Sequence, residues 1–492
     1  MQKDYISRKI YNYINDNTGL YSLEGYKSHE EVKQDFSKIS NFLYQRKKEN
    51  ENFTIGIFLP KDYQYLMVLL ASMYVGVTYV PLSKKLPATR VNQITEIAEI
   101  ALIVTDNDLK LDADTIHLND IFLGDNLVSI DFFYNKQSPL YIMFTSGSTG
   151  APKGVMISRV NYQSFLIWMN NHYDLTSDDR LLFITEFTFD ISLVDVGLLL
   201  EKNLNFYFSK FNGNVIDIMQ ELEQYKINIV STVPSNFTML LSSKIIKRFN
   251  IQPLKLLILS GSKITKKLYD LVLEYFPTTN FYNGYGPTEA TIFITSKKFD
   301  KQTISFDFDS NNASVGCETS DMKIIILDQN KQQVKEGEIG EIFVSGSQLM
   351  IAYKNNNEKT KEALIDLNNT TYYRVGDLGY QKNGNLYIIG RIDDTIKTRG
   401  YRVNLSDIES YTHKLDYINE SIILAIEDEN IENKLYLFVT LHKQVEKEAI
   451  YADLKEILPD YQMPADIIIL NKMPLNMSGK ISKIDLQQAL PK

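Results

Sequence analysis

The chain has 492 residues, 44% of them hydrophobic, which is beyond the size at which a single core stops growing, so two or more globular domains are expected. A formal net charge of −9 argues against a generic nucleic-acid binder, because affinity for a phosphate backbone needs surplus Lys and Arg. The single cysteine, Cys317, excludes an internal disulfide and fits a reducing cytoplasm.

In chain order, the N-terminus MQKDYISRKIYNYINDN lacks the apolar stretch of a signal peptide, so secretion is not expected. Residues 53–59 read as a strand. The uncharged run 65–82 contains Gly76 and Pro81 and barely reaches membrane-spanning length, so it reads as a buried helix entering a strand and not as a membrane anchor. Further short β-rich runs stand at 102–105, 140–144, 227–233 and 254–259, while 215–224 has helical spacing through Val215, Ile218, Met219 and Leu222. This is an α/β pattern. From about Ile324 the segments KIIILD, EIFVSG, LYIIG and LYLFVTL read as antiparallel strands. Cys317, with β-like neighbours and no histidine nearby, reads as a small core residue.

Chemistry concentrates in a few loops. Residues 141–154, YIMFTSGSTGAPKG, run from an apolar strand into a loop suited to phosphate. Gly147, Gly150 and Gly154 permit tight backbone, Thr145, Ser146, Ser148 and Thr149 supply hydroxyls, and Lys153 adds a mobile positive charge. A Walker A loop is excluded, because Pro152 stands five residues after Gly147 and Gly154 follows Lys153. Later come NGYGPTE (283–289), YRVGDLG (373–379), GRIDDTIKTRGYR (390–402) and PLNMSGK (474–480). None of the five histidines lies in a motif or at metal-ligand spacing, and no Ser/His/Asp or Cys/His constellation appears.

In this order, these segments resemble the adenylate-forming ligases, in particular the amino-acid-activating adenylation domains of non-ribosomal peptide synthesis and the D-alanine:carrier-protein ligases. Residues 74–90, YVGVTYVPLSKKLPATR, fit the same family with Val75 where Ala or Gly is usual. The resemblance implies a large N-terminal adenylation domain of mixed sheets and helices, 1–392, and a smaller mobile α+β C-terminal domain, 393–492, with Asp393 as hinge. It implies ATP and Mg²⁺. Tyr285 would give an aromatic face to the adenine, Asn283 and Gly284 would belong to the ATP site, and Thr288 would meet the α-phosphate, Glu289 the metal, Asp377 both ribose hydroxyls, Arg391 the nucleotide and Arg402 a phosphate. Lys480 would bridge the substrate carboxylate and the α-phosphate as the catalytic lysine. Asn404 departs from the family's Glu and touches only a structural contact.

The same resemblance makes Asp190, in FDIS (189–192), the partner of a substrate α-ammonium, followed in the pocket by Ile191, Val194, Thr232, Ile258, Ser260, Gly284, Ile292 and Phe293. None of the latter is charged, which favours a small or medium neutral side chain: alanine of either hand, serine, threonine, valine and proline stay open. The chain ends twelve residues after Lys480, which leaves no room for a fused carrier domain, so the expected acceptor is the phosphopantetheine thiol of a separate carrier protein. Coenzyme A is the alternative acceptor, as in an acyl-CoA ligase. An aminoacyl-tRNA synthetase is disfavoured by the absence of HIGH- and KMSKS-type motifs.

Overall fold

In the computed structural model, which describes the chain apart from residues 1–3, 17–19, 108–110, 126–137, 146–151, 300–307, 310–311, 393–394, 399, 429–431, 475–480, 482 and 491–492, the apolar runs become parallel strands. Asn205–Phe208, Arg180–Phe183, Ile229–Thr232, Leu256–Ser260 and Asn280–Tyr285 pair side by side in that order, all parallel. Both faces of these strands are covered, which is why they read as continuous apolar runs without alternation. Past Asn280–Tyr285 the sheet turns antiparallel through Thr295–Phe299, Asn312–Glu318, Asn385–Arg391, Thr370–Lys382, Gly340–Ser345 and Lys323–Leu327. The change near Ile324 expected from the sequence is therefore real, and it begins earlier.

A second sheet holds Leu102–Thr105, Thr54–Phe58 and Thr78–Pro81 as parallel neighbours. One core joins the two sheets, with Ile55, Ile57 and Tyr79 from the second and Ile229 and Ile258 from the first. The opposite face of the first sheet carries Val230, Leu257, Leu259 and Phe281 against Ile218, Met219 and Leu222 of helix Val215–Gln224. The run 65–82 is helix Tyr63–Val75 followed by strand Thr78–Pro81. Gly76 ends the helix at φ 75°, a left-handed conformation that costs a residue without Cβ little, and its N–H caps Ser72 O at 2.9 Å. Among the described residues no helix is long and apolar enough to cross a membrane.

Cys317 corrects an expectation: it is exposed. The register of Asn312–Glu318 shifts between Ser314 and Gly316, where Gly316 takes φ 86°, and such a bulge reverses the alternation that would otherwise have buried residue 317 beside Val315.

The chain divides into two compact units, one of Met1–Lys84, Thr95–Phe144 and Gly154–Ile392, the other of Lys85–Ile94, Thr145–Lys153 and Asp393–Lys492. The second unit has its own sheet, Ile418–Asp428 antiparallel to Glu432–Leu441, which runs parallel to Asp466–Ile469. Its core includes Ile408, Leu437, Val439, Ile450 and Leu454. Arg90, from the 74–90 segment, is buried there and donates to Tyr411 at 2.8 Å.

Candidate active site

Ligand groups in parallel sheets gather beyond the carboxyl ends of the strands. Ile258 and Ser260, at the end of Leu256–Ser260, are buried, and in register they stand beside Tyr282 and Gly284. Residues in register on parallel strands share a face. On the other side the neighbour of Ile258 is Ser231. Thr232, expected in this wall, is instead level with Leu259 on the opposite face, and its hydroxyl accepts from Asn236 Nδ2 at 3.0 Å. The residue that joins Ile258 and Ser260 is thus Ser231, which is fully buried. Its identification needs the register of a strand 25 residues further on, which no local pattern carries.

Ile191, Val194, Ile258, Ile292 and Phe293 all belong to the large buried cluster that joins the two sheets. Ile191 and Val194 come from the entry and first turn of helix Ser192–Lys202. The Phe293 ring lies on Gly284 so closely that a Cβ there would be 2.6 Å from the ring carbon Cζ. Gly286 likewise admits the returning chain, since its Cβ would come within 2.3 Å of Ile292 O. These glycines serve close packing, and neither has positive φ; the short 3₁₀ segment Thr288–Ala290 follows them.

Asp190 is half-buried in the turn that enters helix Ser192–Lys202. Its carboxylate stands near Tyr141: burial pushes the Tyr141 phenol well above its ordinary range, and the charge of Asp190 adds to the shift. Further along the helix, Asp195 was not foreseen. It is completely buried, and loss of hydration raises its carboxyl well above the usual range. Ser231 is the polar side chain that offsets this in part, although no hydrogen bond of normal geometry joins them. An aspartate in the otherwise apolar SLVDVGLLL was the available signal.

The expected nucleotide residues fall into two groups. Tyr285, buried at the end of Asn280–Tyr285, donates its phenol to Asp377 Oδ2 at 2.5 Å, and Arg391 Nη1 donates to Asp377 Oδ1 at 2.8 Å. Asp377 and Arg391 face each other across adjacent antiparallel strands. Burial, then the Asp377 charge, hold the Tyr285 phenol well above its ordinary range, so it stays a donor. Glu289, 2% exposed, accepts from the Tyr353 hydroxyl at 2.7 Å, and Thr288 beside it is half-buried. Asn283 lies on the face away from Ser260 and donates to Ser314 O at 3.0 Å. One buried carboxylate suits Mg²⁺, which binds through one or two carboxylates plus phosphate oxygens and water. Among the described residues no cluster of three or more acidic, His or Cys side chains is poised for a metal.

Thr145 closes strand Pro139–Thr145 and Lys153 opens Lys153–Ser158, both half-buried. Ser146, Gly147, Ser148, Thr149, Gly150, Asp393 and Lys480 lie outside the described residues. Arg402 belongs to strand Tyr401–Asn404, and its side chain also lies outside them.

Residues 13–354 match the family described as AMP-binding enzyme. A D-alanine–D-alanyl carrier protein ligase from Listeria monocytogenes serovar 1/2a is 30% identical over 485 residues, 94% of each chain. Among solved structures, o-succinylbenzoate CoA synthetase from Bacillus subtilis superimposes with a TM-score of 0.85 at 20% identity, covering 99% of this chain and 98% of that one. Holo-PA1221, described as an NRPS protein containing adenylation and PCP domains, gives a TM-score of 0.85 at 19% identity, over 99% of this chain and 84% of that one. At these identities the structures show the fold.

Proposed function

We propose that this chain, which belongs to the AMP-binding enzyme family, uses ATP to activate a small or medium neutral amino acid as its aminoacyl-AMP and passes the aminoacyl group to the phosphopantetheine thiol of a separate carrier protein. The observation that carries this reading is the half-buried Asp190 carboxylate at the entry of a wall made otherwise of uncharged residues. A carboxylate there offers an ion pair to an α-ammonium and a penalty to a fatty or aryl acid. The carrier-protein ligase similar along 94% of its length supports the acceptor.

In the first half-reaction a substrate carboxylate oxygen attacks the α-phosphorus, the new P–O bond forms, and the bond to pyrophosphate breaks. No side-chain nucleophile is needed, so the protein's work is positioning and charge neutralisation. Asp377, fixed by Tyr285 and Arg391, holds the ribose; Thr288, Lys153 and the 145–150 loop donors hold phosphate; Lys480 bridges carboxylate and α-phosphate. Glu289 would hold Mg²⁺, which when bound neutralises phosphate charge. In the second half-reaction the carrier thiol attacks the acyl carbon and AMP leaves with the bonding electrons. We assign this exchange of tasks to a rotation of the 393–492 domain about Asp393 relative to 1–392, bringing Arg402 and the loop around Gly400 into play. A cytoplasmic location fits the single cysteine and the use of ATP.

Measuring the half-reactions separately tests the assignment. Lys480→Ala should lose most ATP–pyrophosphate exchange, by about a hundredfold or more for one preorganised charged donor, while AMP still binds. Asp393→Pro, which fixes φ at the pivot, should slow thioester formation more than exchange. Normal exchange in Lys480→Ala, or equal loss of both halves in Asp393→Pro, contradicts the respective role.

A further inference from the structure

We infer that Gln348 is a positioning residue of the amino-acid pocket, its carboxamide holding the Thr291–Phe293 wall in a conformation that this stretch of chain does not favour by itself. The inference rests on the reading of this wall as part of an amino-acid pocket. Two successive residues there have positive φ, Thr291 at 54° and Ile292 at 74°. For a β-branched side chain that is a steric outlier. The Phe293 N–H donates to Thr291 O, two residues back, at 3.0 Å, so Ile292 is the centre of a three-residue turn of the strained, positive-φ kind. Such a conformation persists only where its surroundings over-determine it.

Those surroundings converge on Gln348, which is completely buried. Its Nε2 donates to Phe293 O at 2.8 Å and stands 3.2 Å from both Ala290 O and Thr291 O. Its main-chain carbonyl accepts from Thr291 Oγ1 at 2.6 Å. One residue therefore satisfies the turn's carbonyls with its side chain and the turn's hydroxyl with its backbone. The amide orientation is chemically fixed, because the reverse would set its oxygen against three carbonyl oxygens. Thr319 Oγ1 adds a second donor to Phe293 O at 3.0 Å. Two residues beyond Gln348, the Met350 N–H donates to Glu289 O at 2.8 Å, so the same loop braces the backbone of the candidate metal ligand. In sequence, Gln348 sits unremarked in GSQLM, between a strand and a loop.

Gln348→Met keeps the volume and removes both donors. Two readouts separate the inference from the reading beneath it. Amide hydrogen exchange over residues 286–296, measured without substrate, should quicken by about tenfold as the turn loses its donors. In ATP–pyrophosphate exchange, KM for the amino acid should rise about tenfold and discrimination between neighbouring neutral side chains should shrink, while KM for ATP stays within about twofold. Unchanged hydrogen exchange overturns the positioning role, and so does faster exchange with unaltered amino-acid KM and selectivity. Should the wild type answer to no amino acid, the pocket reading fails and hydrogen exchange alone decides whether Gln348 holds the turn. If the Met variant does not fold, Gln348→Asn should show the same two shifts at smaller size, and their absence there overturns the inference equally.

Discussion

Tyr285, the last residue of strand Asn280–Tyr285, and Asp377, inside strand Thr370–Lys382, meet across 2.5 Å, with the phenol as donor and Arg391 on the second carboxylate oxygen at 2.8 Å. The carboxylate proposed above to receive the ribose is thereby held in one orientation by both of its oxygens.

Tyr285→Phe removes one of these two supports and keeps the ring. A hydrogen bond to a charged group contributes about 1.5–3 kcal/mol, so the affinity for AMP should fall by about ten- to a hundredfold. Calorimetric titration with AMP reads this directly. An unchanged Kd means that Asp377 does not depend on Tyr285.

Gly284→Ala sets a methyl 2.6 Å from the Phe293 ring, which is itself confined by Phe165 edge-on at 5.8 Å. Overpacking of this kind costs about 1–3 kcal/mol. Both a lower melting temperature and a changed order of preference among neutral amino acids are expected. A variant with wild-type melting and wild-type preference shows that Phe293 yields freely and sets no boundary to the pocket.

Asp195 gives a pH-dependent test. Burial raises its carboxyl in the folded state, so the native protein keeps a proton that the unfolded chain releases above the ordinary carboxyl range, near about pH 4. Wild-type stability is therefore lost as pH rises from there towards the folded pKa. Asp195→Asn keeps the shape and abolishes the titration, so its melting temperature relative to wild type should become more favourable from pH 4 to pH 8. A pH-independent difference shows that Asp195 titrates alike in both states.

Much of this architecture was legible because it is local. Parallel strands covered on both faces announce themselves as uninterrupted apolar runs, and helix Val215–Gln224 coincides with its 3.6-residue spacing. The motif loops are legible because their glycines, hydroxyls and charges are contiguous. What escaped depends on partners distant in the chain. Ser231 rather than Thr232 faces Ile258 because of interstrand register, and Cys317 is exposed because a bulge at Gly316 reverses alternation. Gln348 matters through carbonyls more than fifty residues earlier, as its bonds to Ala290 and Phe293 record.

The central claim is that the activated carboxylate belongs to an α-amino acid held by Asp190. It is tested most directly by ATP–pyrophosphate exchange with matched panels of neutral amino acids and their deaminated acids, on wild type and Asp190→Ala. Removing one partner of a buried pair costs about 3–5 kcal/mol, or hundreds- to thousands-fold in rate. The expected result is wild-type exchange with a small or medium neutral amino acid alone, lost in Asp190→Ala, with the matching deaminated acid now admitted. A wild type that prefers short fatty or aryl acids and ignores every amino acid contradicts the claim and points to an acyl-CoA ligase.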